Sequence, residues 1–185
     1  LQAEGLKRML VEIEADAKRL GIHFDAWKSE QSLYDDSTFG SVFNQLSADG
    51  WLIHRAGAVW FKGDRENWQD SPTETDAPDQ PRQKHEDKDN VVVRSDGRPT
   101  YFASDIAYVW DKLVRRGFDW AIYVWGADHH GHVLRMKAVT RALGLDPERM
   151  TVILYQLVTL KRGGELVRMG KRTGEIITLR EVVEE

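Results

Sequence analysis

The chain has no cysteine among its 185 residues, so disulfides and thiolate zinc sites are excluded and nothing indicates an oxidising compartment. It has no apolar run long enough to span a bilayer. Its start, LQAEGLKRML, carries charges where a signal peptide needs an apolar centre. It has no excess of positive charge either. The formal net charge is -4, which excludes a global basic field for nucleic acid and leaves only local clusters such as VRMGKR. Proline is scarce, and three of the five prolines (Pro72, Pro78, Pro81) fall in one acidic, nearly apolar-free stretch. That stretch, about 64–89, is too long for a compact connection and is expected to be flexible. No internal repeat is visible.

What is present is a soluble globular composition, 41% hydrophobic and 30% charged, sized for one ordinary core or part of a larger one. Leu6, Met9, Leu10, Ile13, Ala17 and Leu20 repeat at helical spacing before Gly21, which predicts an amphipathic helix. IHFDAWKSEQS reads as extended. Phe39, Val42, Phe43 and Leu46 predict a second helix, with Ser37 as its cap and an end near Gly50. WLIHRAGAVWFK reads as a hairpin turning at Ala56-Gly57.

After the acidic stretch, VVVRSDG predicts a strand and turn. A helix over about 101–116 follows, with Phe102, Ile106, Val109 and Leu113 as its buried stripe. WAIYVW and MTVILY read as strands buried on both faces, separated by a helix from about His130 to Leu143. VTLKRGGELVRM predicts a hairpin at Gly163-Gly164, and Thr178 with Glu181 a capping box opening a last helix. Strands alternating with helices over short joints define an α/β fold with a parallel sheet.

Three stretches carry chemistry. WGADHHGH, Trp125 to His132, joins a predicted parallel strand to the next helix. Ligands of open α/β sheets bind beyond the carboxyl ends of the strands, where Gly126 permits close approach and a helix N-terminus favours anions. Asp128 or His132 then fits a ribose or adenine. A metal reading has His129 and His132 at i, i+3 but no second cluster of ligands, and His130 reads equally well as a surface residue. VRMGKRTGE offers Arg168, Lys171 and Arg172 on a Gly-flanked loop able to close on a triphosphate. PTYFASDIAY places Tyr101, Asp105, Tyr108 and Lys112 on one helix face, where a carboxylate beside a phenol can grip a guanidinium. Taken singly, the basic loop also reads as a solvated turn and the helix face as ordinary exposed surface.

Together, SDGRPTYFASDIAYVWDKL, YVWGADHHGHVLRMKAVTRALG and QLVTLKRGGELVRMGKRTGEIITLREVVEE resemble the catalytic domain of arginyl-tRNA synthetases, class I enzymes. RMGKR resembles the class signature Lys-Met-Ser-Lys-Ser. The resemblance implies the second half of a Rossmann-type catalytic core with part of its connective insertion. Residues 1–90 would hold the first helix and the end of the insertion, from about residue 22. Residues 91–185 would hold the second half of the core, with the signature loop at 168–172.

It also implies roles. Tyr101, Asp105 and His129 match arginine-binding positions. Gly126, Asp128, His132, Met169 and Lys171 match ATP-binding positions. Lys171, with Arg168, would act on the leaving pyrophosphate. The implied reaction is ATP-dependent, Mg²⁺-assisted activation of L-arginine followed by transfer to tRNA(Arg), in the cytoplasm, without membrane or disulfide partners.

Arg168 stands where lysine is usual and Gly170 where serine is usual, and His-Ile-Gly-His, the other class signature, is absent. That absence leads us to expect a fragment of a longer polypeptide, inactive by itself. The alternatives are a DHH-type metal-dependent phosphoesterase, which needs further Asp/His clusters, and a synthetase-like module that binds without catalysis.

Overall fold

The computed structural model describes residues 2–63, 90–156, 158–166 and 177–184. The acidic stretch at 64–89 and the loop carrying Arg168, Met169 and Lys171 lie outside the described residues. The chain forms two compact units, Ser29–Leu157 and Leu1–Lys28 with Val158–Glu185. No described helix is long and apolar enough to cross a membrane.

The larger unit begins with a helical turn, α2 (Ser32–Asp35), and a helix, α3 (Thr38–Ala48). Ser37 sits at the N-cap of α3, but its hydroxyl makes no capping bond, contrary to expectation. Asp36 does that work: its Oδ1 accepts from the Thr38 backbone N–H at 3.1 Å and from the Thr38 hydroxyl at 2.5 Å. The α2 turn begins at Ser32, the last residue of the segment read as extended.

The expected hairpin is present: β1 (Leu52–Arg55) pairs antiparallel with β2 (Ala58–Phe61). Ala56 and Gly57 take φ of 49° and 75°, the left-handed pair that a two-residue turn needs to match strand twist. Strand β3 (Val91–Val93) completes this sheet on the other side of β2.

Helix α4 (Tyr101–Trp110) buries Phe102, Ile106 and Val109, and a π-turn, Asp111–Arg115, continues it and buries Leu113. Arg149 holds the segment after that turn, donating to the carbonyls of Leu113, Phe118 and Asp119. There the chain enters β4 (Ala121–Gly126). A 3₁₀ turn, Ala127–His129, leads into α5 (His130–Ala142), and β5 (Met150–Tyr155) then pairs parallel with β4 from Ala121↔Met150 to Gly126↔Tyr155. The strand–helix–strand unit read from the sequence is therefore formed.

Burial on both faces is not. Ile122 and Val124 are 54% and 62% exposed, and Ile153 and Tyr155 are also open. A continuous apolar run shows that both faces suit an apolar cover, but among the described residues only one face has it. The core between α3, α4, α5 and the two sheets is built from Val42, Leu46, Phe61, Ile106, Val139 and Met150 with their neighbours.

The smaller unit contains α1 (Gln2–Arg19), the short hairpin β6 (Lys161–Arg162) and β7 (Glu165–Leu166), and α6 (Leu179–Glu184). Two ion pairs join its helices, Arg19 to Glu184 at 2.9 Å and Arg180 to Asp16 at 3.1 Å. The capping box forms as read: Glu181 accepts from the Thr178 backbone N–H at 2.6 Å, and Thr178 Oγ1 accepts from the Glu181 N–H at 3.2 Å. The stripe of α1 is helical as predicted, but Leu6, Met9, Leu10, Ile13 and Leu20 are exposed and only Ala17 is buried.

Candidate functional site

A cleft of about 440 Å³ opens in the larger unit. Three pieces of sequence wall it: α4 supplies Tyr101, Phe102 and Asp105, the 3₁₀ turn and the start of α5 supply Asp128, His129, His132 and Arg135, and the segment after β3 supplies Arg94 and Thr100. Two of the three stretches singled out in the sequence thus share one cavity.

Local structure explains the convergence. Thr100 caps α4, its Oγ1 accepting from the Ala103 N–H at 3.4 Å and donating to the Val91 carbonyl at 2.6 Å, so β3 fixes where the helix starts. One turn later Asp105 reaches the wall. On the other side, β4 ends in the turn that aims His129 and His132 back toward α4, beyond the carboxyl end of the strand, where parallel sheets place ligands.

The centre of the cleft is a hydrogen bond between Asp105 Oδ2 and His132 Nε2 at 3.0 Å. The imidazole is 17% exposed and the carboxylate 43%. Phe102 and Trp125 pack against the ring, with centroids at 5.9 and 5.3 Å. On its far side, Arg135 Nη1 lies 3.3 Å from Nδ1. Tyr101 stands 81% exposed at the rim. His129 lies 3.8 Å from Asp128 and near Trp125, and His130 is exposed beside it. Gly126 is buried at the end of β4, and its φ of -64° demands no glycine.

Beneath Asp105, Lys112 extends between two phenol rings, its Nζ 3.8 Å from the Tyr108 centroid and 3.9 Å from that of Tyr123. Burial pushes this ammonium down to about 8; Arg116 adds to the effect and Asp105 and Asp111 oppose it. Burial likewise raises the Tyr123 phenol well above its ordinary range, and among the described residues its hydroxyl has no hydrogen-bond partner.

Away from the cleft, Asp36 is held well below the usual carboxylate range by the Thr38 hydroxyl and by Arg115, which also donates to Thr38 Oγ1 at 2.9 Å. Among the described residues, no three His, Asp or Glu side chains converge as a metal site.

Sequence reasoning missed Arg94, Arg135 and the Asp105–His132 pair. Arg135 lies at i+3 from His132, a spacing that marks helix neighbours. The pairing across two helices 27 residues apart had no local signal.

A family model described as the catalytic domain of class I tRNA synthetases, R type, matches residues 7–185. The chain belongs to that family. The arginine–tRNA ligase of Dehalococcoides mccartyi strain CBDB1 is 50% identical over 181 residues, which cover 98% of this chain and 29% of the relative. The arginine–tRNA ligase of Caldanaerobacter subterraneus is 49% identical with the same coverage. A crystal structure of a putative arginyl-tRNA synthetase from Campylobacter jejuni matches with a TM-score of 0.74 and 33% identity, over 97% of this chain and 34% of that one. The Thermus thermophilus arginyl-tRNA synthetase, at 17% identity and a TM-score of 0.71 over 98% of this chain and 33% of that one, shares the fold. The α/β arrangement of small parallel and antiparallel sheets thus corresponds to part of this class of structures, and the chain spans 29% of the length of the curated relatives.

Proposed function

We propose that the chain is the second half of a Rossmann-type catalytic core, with part of its connective insertion, and that it serves arginine activation and transfer to tRNA(Arg). On this reading residues 1–90 carry the first helix and the end of the insertion, and 91–185 carry the core half. The observation that carries the reading is the placement of Asp105, Tyr101 and His129 around one cleft in a chain of this family. A half-exposed carboxylate flanked by a phenol and an imidazole suits a guanidinium, which a carboxylate binds with charge-assisted hydrogen bonds.

An arginine seated there would be activated in two steps. An oxygen of its carboxylate attacks the α-phosphorus of ATP, and the bond to pyrophosphate breaks. A ribose hydroxyl of tRNA(Arg) then attacks the acyl carbon, and AMP leaves. Residues of this chain work by positioning and charge rather than by covalent chemistry. Asp128, His132 and Gly126 would meet the adenosine, with Met169 on the loop. Lys171 and Arg168 would face the charge that builds on pyrophosphate. Mg²⁺ belongs in this reading to the phosphates of ATP, and no step is assigned to it. The compartment implied is the cytoplasm.

The test is arginine-dependent ATP–pyrophosphate exchange with tRNA(Arg) present. The 185-residue chain alone is expected to show none, because the remaining length of the relatives is missing from it. A chimera in which this chain replaces the matching 181 residues of the Dehalococcoides mccartyi ligase is expected to exchange. In that chimera Lys171→Ala should slow adenylate formation by about 10²–10³-fold with arginine affinity little changed. An inactive but folded chimera, or a Lys171→Ala effect confined to arginine affinity, contradicts the reading.

A further inference from the structure

The bond between His132 and Asp105 has a second member behind it. Arg135, one turn further along α5, brings Nη1 to 3.3 Å from Nδ1 of the same ring and sets its guanidinium 5.3 Å from the centre of Phe102. A guanidinium has donors only, so Nδ1 must accept. The ring hydrogen then resides on Nε2, which donates to Asp105 Oδ2 at 3.0 Å. Hydrogen-bond partners thereby fix the tautomer, as they do for any histidine held at both nitrogens.

The consequence bears on Asp105. A ring hydrogen on Nε2 pins one carboxylate oxygen and leaves the other for a cationic side chain. Building on the arginine reading, we propose that Arg135 is a positioning residue, which holds the His132 ring as its Nε2–H tautomer and so keeps the Asp105 carboxylate oriented for a guanidinium. The other charged groups around the ring are Asp128 and His129 from the 3₁₀ turn and Arg94 after β3, all bordering the same cleft. Phe102 and Trp125 pack against the ring and bring no charge. Arg135 is thus the cation within hydrogen-bonding distance of His132 on its own helix, and Asp105 the anion facing it from α4.

The experiment compares the parent chain with Arg135→Met, which removes donor and charge, and Arg135→Gln, which keeps an N–H donor. Imidazole nitrogen spectra of the nitrogen-15-labelled 185-residue chain report which ring nitrogen carries the hydrogen. The neutral ring of the parent should carry it on Nε2. In Arg135→Met the hydrogen should be shared between Nε2 and Nδ1, and Arg135→Gln should restore part of the preference for Nε2. In the chimera, Arg135→Met should weaken use of arginine about tenfold or more, as loss of a charge-assisted contact does. Arg135→Gln should recover part of that loss.

A ring hydrogen that stays on Nε2 in a folded Arg135→Met chain, as in the parent, overturns the proposal. If that variant does not fold, Arg135→Lys decides. Its ammonium keeps a donor, so a ring hydrogen found on Nδ1 there would overturn the proposal equally. A shifted His132 signal with no effect of arginine on any form upholds the positioning role and counts instead against the arginine reading.

Discussion

At the scale of single residues, Lys112 is a group whose state is set by its surroundings. Its ammonium lies between the Tyr108 and Tyr123 rings, which stabilise a cation, yet burial lowers its proton affinity from the ordinary 10.5 to about 8. The folded chain therefore releases this proton before the unfolded chain does. Between about pH 8 and 10.5 the unfolded state binds more protons, so this lysine's contribution makes the unfolding free energy rise with pH across that window. Replacing Lys112 with Met should flatten that rise, seen in urea titrations at stepped pH. An identical slope in parent and variant contradicts the assignment. Lys112 was visible in the sequence as a member of the Asp105 face. Its second ring was not, because Tyr123 arrives from a strand whose pairing is set by tertiary packing.

At the scale of elements, the strongest signals were the periodic ones. Ile106 and its neighbours read as a buried stripe at 3.6-residue spacing and are buried, with Ile106 at 2% exposure. Ile106→Ala should cost about 2–5 kcal/mol, read by denaturant unfolding, since it leaves a cavity under the helix that carries Asp105. A cost below about 1 kcal/mol would mean that α4 is less tightly packed than its burial implies.

Thr178→Ala should cost about 0.5–2 kcal/mol by removing one half of the capping box at α6, with the larger unit undisturbed. Hydrogen exchange resolved by residue would show the loss confined to the smaller unit. Equal loss throughout would contradict that.

Caps were legible where both partners lie within three residues, as with Thr178 and Glu181. At α3 the local rule named Ser37, but the carboxylate one position earlier reaches the Thr38 N–H and is also held by Arg115, 79 residues away. The apolar runs of β4 and β5 were read correctly as strands. Their second face was not legible, because hydrophobicity states what a face tolerates and not what covers it. The turn of α2 went unread because four residues give no period to detect.

At the scale of the whole molecule, the larger unit holds the core and the cleft, and family membership rests on nearly the whole chain. The motifs at 101–105 and 125–132 were legible as chemistry because each is dense in functional groups. That they share a cavity follows only from β3 fixing the start of α4 and β4 aiming α5.

The central claim is that Asp105, braced by His132, selects a guanidinium. The most direct measurement is equilibrium binding of L-arginine and L-citrulline to the chimera described above, before and after Asp105→Asn. Citrulline has nearly the shape of arginine but a neutral ureido group. The account predicts that the parent chimera prefers arginine by about tenfold or more, and that Asp105→Asn weakens arginine by about 1–3 kcal/mol while leaving citrulline nearly unchanged, so the preference collapses. A preference for arginine that survives Asp105→Asn intact in a folded chimera would contradict it.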